Sequence, residues 1–123
     1  MINLEKFSKS IRFAAKGLVR VAEEEQNFRI ELLAALLVLI LMSVLGLEPA
    51  ERAILVLAII LVLVLELMNS IFERMVDLLK PRIHHYVEDI KDIMAGSVLV
   101  ASVGSILIGV LIFWPHLVRL FQQ

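Results

Sequence analysis

An all-α integral membrane protein is the fold class this sequence predicts, and three observations predict it. Of the 123 residues, 60% are hydrophobic, and the mean hydropathy is +0.91. A soluble chain of this length could not hide that much apolar surface. Three apolar segments approach or reach the roughly 20 residues needed to cross a bilayer. A charged N-terminal stretch with apolar residues at helical spacing precedes them.

The elements follow in order along one domain, residues 1–123. Residues 1–29 are charged throughout and have no apolar h-region, so they do not read as a cleavable signal. Phe7, Ile11, Ala14, Leu18 and Ala22 recur at helical spacing, and Lys6, Lys9, Arg12, Lys16 and Arg20 take the other faces. A basic helix with an apolar stripe is expected to lie in the membrane surface, and it can also pack on its own protein. The first span is expected at 30–47, with its uncharged part at 32–47 and Ile30 and Glu31 at its mouth. Residues 47–52 form a tight turn, where Pro49 suits the start of the next helix. The second span is 53–72, interrupted by Glu66 and Asn69. The third is 91–114, uncharged from 93 onward. Ser97, Ala101, Ser105 and Gly109 recur along it at every fourth position, allowing close helix approach within or between chains.

Loop charges set the orientation. Six Lys/Arg precede residue 30, and Arg74, Lys80, Arg82 and Lys91 flank the second loop. The first loop has only Arg52 and the tail only Arg119. The positive-inside rule then makes the N-terminus and the second loop cytoplasmic. Trp114 and Tyr86 fall near the expected interfaces, which amphipathic rings favour. The net charge of −1 argues neither for nor against nucleic acid, and no nucleic-acid partner is expected. The chain has no cysteine, so disulfides and thiolate metal sites are excluded.

The chemistry is expected at the cytoplasmic end of the spans. On a helix, Glu66, Ser70, Glu73 and Asp77 fall within about 60° of one another, with Asn69 at the edge. Carboxylates at the end of a membrane span are costly and mark function. Glu23, Glu24, Glu25 and Glu31 precede the first span, and Lys91 and Asp92 open the third. A few carboxylates suit magnesium that also holds phosphate oxygens and water. A lysine can offset charge on a transferring phosphoryl group, and a carboxylate in a partly dry site can accept a hydroxyl proton. Those are the parts of a kinase.

Plainer readings exist for several of these residues. Glu23 and Glu24 can be a solvated run. Glu73, Arg74 and Asp77 can form an interfacial network, and Lys91 and Asp92 can be a surface charge and a helix N-terminal acid. His84 and His85 point apart on any regular element and do not read as a metal pair. The chain carries no G-x-x-x-x-G-K-[ST] loop, no protein-kinase glycine loop and no G-x-S-x-G elbow. If the chain handles ATP, it does so by none of those soluble solutions.

These residues resemble the prokaryotic diacylglycerol kinase family, which includes undecaprenol kinases, over nearly the whole chain. The most specific element is the family pattern E-x-[LM]-N-[ST]-x-x-E-x-x-V-D, present as Glu66-Leu-Met-Asn69-Ser70-Ile-Phe-Glu73-Arg-Met-Val76-Asp77. Lys91-Asp92 followed by Ala95-Gly96-Ser97 is a second element, and Lys16-Gly17-Leu18 followed by Glu25-Gln26-Asn27-Phe28-Arg29-Ile30 is a third. The resemblance implies a membrane lipid kinase of the bacterial inner membrane, a homotrimer with sites shared between neighbouring chains. It implies Glu25 and Glu73 as magnesium ligands, Glu66 as general base on the lipid hydroxyl, and Asn69 as its neighbour. It implies Lys91 and Asp92 as ATP-binding residues, with Lys16 and Gly17 on the helix that covers the nucleotide and Glu31 as a further polar position.

Two departures stand out. Ile71-Phe72 replaces the usual Ala-Ile, and residues 84–92 depart from the H-P-x-x-K-x-A-K-D of many relatives, with His85 in place of the proline, Glu88 in place of a base and Ile90 in place of a small residue. Asn27-Phe28-Arg29-Ile30 and Ala95-Gly96 look like the Gram-positive branch, which favours undecaprenol over diacylglycerol. A proton-coupled transporter would account for Glu66 but not for the second acid together with Lys91-Asp92. A structural membrane subunit would need only the small-residue stripe.

Overall fold

Asn3 starts the first helix by accepting a hydrogen bond from the Lys6 backbone N–H on its side-chain oxygen, 3.1 Å away. The computed structural model describes residues 3–79 and 85–122. Positions 80–84, which include Lys80, Arg82 and His84 of the reading above, lie outside them. The described residues form four helices: α1 (Leu4–Glu24), α2 (Gln26–Val44), α3 (Pro49–Leu79) and α4 (His85–Phe121).

The break between α1 and α2 is a single residue, Glu25, in extended conformation at φ −100° and ψ 117°. It comes four residues before the end of the 1–29 segment, and two side chains explain why. Phe28 is buried and anchors the first turn of α2. Arg29 folds back and donates from Nη1 to the carbonyls of Ala22 at 3.1 Å and Glu23 at 2.8 Å, which closes the open end of α1. No residue of α1 is buried within the chain.

The turn between α2 and α3 uses Gly46 at φ +59°, a left-handed conformation that glycine adopts without strain. Pro49 takes the first position of α3, and the Glu51 carboxylate accepts from the Glu48 backbone N–H at 2.9 Å, half of a capping box. Arg52 Nε donates to the Leu47 carbonyl at 3.0 Å. A core of Met42, Leu47, Leu55 and Phe113 packs beside this turn, at the end of the bundle opposite the acidic stripe. Leu55→Ala is expected to cost about 2–5 kcal/mol, read as a lower melting temperature in detergent.

Among the described residues, three helices are long and apolar enough to cross a membrane: Gln26–Val44, Pro49–Leu79 and Tyr86–Phe121. α3 and α4 run past both ends of the spans read from the sequence, whereas α2 starts four residues before 30 and stops at Val44, three short of 47. α3 has 31 residues, about 46 Å, longer than the ~30 Å hydrocarbon core. Its last turns therefore carry Glu66 to Asp77 to and beyond the edge of the bilayer. α4 starts at His85, so residues 86–90 continue the helix below Lys91 rather than forming a loop. It also runs through Pro115, with His116 Nδ1 bonded to the Ile112 carbonyl at 2.9 Å and Nε2 3.5 Å from Glu51. α3 is the central helix, packed most extensively on α4 and then on α2, while α1 leans on α2.

Candidate active site

One end of α3 buries polar residues where a lipid-facing helix would bury apolar ones. Glu66 and Ser70 are each 2% exposed and Asn69 is 7% exposed. They share the inward face with Leu55, Ala58 and Val62 of the same helix, so the period that buries the apolar residues also turns these groups inward. Glu73, one turn further, is half-buried, and Asp77 lies exposed at the stripe's end.

Other elements bring charge to the same place. The Glu25 carboxylate makes no cap hydrogen bond to its own helix. Glu66 lies within electrostatic reach of Glu25 and Glu73, and Glu31 of Glu66. From α4, Lys91 Nζ stands 3.6 Å from Glu73 Oε1. From α3, Arg74 Nη2 contacts Glu24 Oε2 at 2.7 Å and lies 3.8 Å from Glu25 Oε1. Glu24, read as part of a solvated run, is thus half exposed yet paired. Pairs this exposed add about 0–1 kcal/mol each, so their main effect is to fix positions.

Among the described residues, two buried acceptors, Glu31 Oε2 and Asn69 Oδ1, have no hydrogen-bond partner. An unpaired buried acceptor costs about 1–3 kcal/mol, a penalty that a bound hydroxyl or amine donor removes. An apolar groove of about 620 Å³ begins at Asn27 and Glu31 and runs between α2, α3 and α4 past Ala34, Ala58 and Gly109 to Trp114. Glu31, within electrostatic reach of Glu66, is the acid of the cluster that lines this groove.

The donor set suits a hard divalent ion. Among the described residues no group of three or more His, Asp or Glu can hold a metal unaided. Glu25 and Glu73 offer only carboxylate oxygens, and both are paired with cations at distances longer than a tight ion pair. Magnesium is commonly held by one or two carboxylates, with phosphate oxygens and water completing its shell, and this pair fits that pattern.

The remaining predicted positions are less enclosed. Asp92 is exposed next to Lys91. Lys16 and Gly17 lie on the exposed α1, about 13 Å along the helix axis from Glu25. A Cβ at Gly17 would meet nothing within 4 Å, so packing within the chain does not require glycine there. Arg74 and Arg29 were not singled out by the sequence as site residues. Their partners lie outside their own helical turns, where periodicity gives no signal.

Fold and site together define a helical membrane protein with an acid-rich, cation-laced centre at one end of its spans and an apolar groove leading from it. A family model described as prokaryotic diacylglycerol kinase matches residues 12–113. An undecaprenol kinase of Bacillus subtilis is 39% identical over 114 residues, 93% of each chain. A diacylglycerol kinase of Synechocystis sp. is 35% identical over 112 residues, 90% of this chain and 64% of the other. A diacylglycerol kinase of Escherichia coli is 28% identical over 108 residues, 88% of each. The chain belongs to the prokaryotic diacylglycerol kinase family, and its class is that of the membrane lipid kinases.

Proposed function

We propose that this chain transfers the γ-phosphoryl group of ATP to the hydroxyl of a membrane lipid alcohol, with magnesium as the cofactor. The observation that carries this reading is the approach of Glu66 and Glu73 on α3 to Glu25 at the α1–α2 corner and Lys91 on α4, beside Glu31 at the polar end of an apolar groove. Glu25 and Glu73 hold the magnesium ion, which, when bound, neutralises phosphate charge. Lys91 faces the phosphates, with Asp92 beside it, and Lys16 and Gly17 lie on the helix over the nucleotide. Glu66 accepts the proton of the lipid hydroxyl, and Asn69 and Glu31 orient that hydroxyl through their unpartnered acceptors. The tail lies in the groove. Positioning and electrostatics supply the catalysis, so no covalent phospho-enzyme forms.

Undecaprenol is the favoured substrate and diacylglycerol the alternative. The higher identity to the undecaprenol kinase than to the two diacylglycerol kinases supports that order. Purified protein given each lipid alcohol side by side with ATP and magnesium tests it. Faster phosphorylation of undecaprenol is expected, and faster phosphorylation of diacylglycerol reverses the assignment.

The site faces the cytoplasm of a bacterial inner membrane, where ATP is present, with α1 lying in the membrane surface. The protein acts as a homotrimer, and neighbouring copies complete each site. Because the chain lacks cysteine, single cysteines report topology cleanly. Glu5→Cys is expected to resist an impermeant maleimide in intact cells, whereas Gln122→Cys reacts. The opposite pattern contradicts the orientation.

A further inference from the structure

We propose that Arg74 is a positioning residue for the cation site, tying the corner at Glu24 and Glu25 to α3 and so setting the separation of the Glu25 and Glu73 carboxylates. The inference rests on the reading of those two carboxylates as cation ligands. Glu25 is the one-residue break between α1 and α2, and its side chain is not held by a cap hydrogen bond on its own helix. Glu73 sits on the continuous helix α3, with Lys91 beside it. A site made from one rigid ligand and one corner ligand needs a tie between them.

Arg74 supplies that tie. It follows Glu73 directly on α3, so its backbone moves with Glu73. Its guanidinium reaches a corner 50 positions away in the chain, at 2.7 Å from Glu24 and 3.8 Å from Glu25. The tight contact is to Glu24, which leaves Glu25 oxygens available to a cation. An arginine competing for the ligand would sit on Glu25 instead. The corner is already stiffened from the other side, since Arg29 bonds the Ala22 and Glu23 carbonyls. Arg29 thus fixes α1 on α2, and Arg74 fixes their junction on α3. Arginine suits this role because its planar fork stays charged and loses little freedom per bond formed.

The test is manganese binding, read by electron paramagnetic resonance, to the full chain in detergent micelles with a non-hydrolysable ATP analogue. Arg74→Ala and Glu24→Gln are each expected to raise the Mn²⁺ Kd about tenfold, as loss of an orienting partner does at other metal sites, with helix content unchanged by circular dichroism. The charge-swapped pair Arg74→Glu with Glu24→Arg is expected to recover most of that loss, because it rebuilds the tie with its ends exchanged. An unchanged or lower Kd for Arg74→Ala overturns the proposal, as does a swapped pair no better than Arg74→Glu alone, which would make Arg74 a direct phosphate contact. Glu73→Gln is measured in parallel. Its loss of Mn²⁺ binding beside an unaffected Arg74→Ala rejects the positioning role only. Retained binding in Glu73→Gln rejects the cation site itself.

Discussion

Glu73→Gln is expected to lower lipid phosphorylation by about 100-fold or more while the protein still folds, because it removes one of the two carboxylates proposed to hold the cation. The amide keeps the shape and part of the hydrogen bonding of the carboxylate but neither its charge nor its hard anionic oxygens. Glu73 is half-buried near the end of α3 and pairs with Lys91 at 3.6 Å. Losing a pair that exposed changes stability by about 0–1 kcal/mol, so folding and function separate. Raised magnesium should restore part of the rate if affinity is the main loss. Near-normal phosphorylation at ordinary magnesium would remove Glu73 from the site.

Glu66→Gln is expected to behave differently. Glu66 is the buried carboxylate of the cluster and lies in reach of Glu25 and Glu73. Glutamine cannot take the hydroxyl proton, so kcat should fall by about 10²–10⁴-fold, the usual span for a lost general base. The KM for ATP should change little, because nucleotide contacts are assigned to Glu25, Glu73 and Lys91. Stability should hold or rise, since the substitution removes one of three like charges held close together. Loss of ATP binding in this variant would move Glu66 from the proton to the nucleotide.

The two variants also separate the rival readings. A proton-coupled carrier needs Glu66 but has no use for a cation bound between Glu25 and Glu73. A structural subunit needs neither. A kinase loses turnover in both, through metal affinity in one and through rate in the other.

The three spanning helices were legible because uncharged runs at 32–47, 53–65 and 93–114 leave few alternatives to a bilayer. Their ends were not, because α3 and α4 outlast their apolar runs, whereas α2 stops at Val44 inside its own. α3 continues through Leu79 and α4 begins at His85 on backbone hydrogen bonding and packing that hydropathy does not register. The break at Glu25 depends on Arg29 reaching back to α1, a contact with no periodic signature. The acidic stripe was visible because its spacing is that of one helix face, and Glu66 and Asn69 are buried where that face turns inward. The Arg74–Glu24 pair joins residues 50 apart, and a single sequence carries no sign of it. The groove was equally hidden, since it is the gap left between α2 and α4 over α3, lined by residues that look generic one at a time.

Acids from α3 and from the α1–α2 corner, with Lys91, are proposed to serve phosphoryl transfer to a lipid. Purified protein in mixed micelles with γ-³²P-ATP tests that proposal most directly. Label is expected in the extracted lipid only when magnesium and a lipid alcohol are both present, with unlabelled protein throughout. ATP left intact with both lipid alcohols, or label released as inorganic phosphate without reaching lipid, would contradict it.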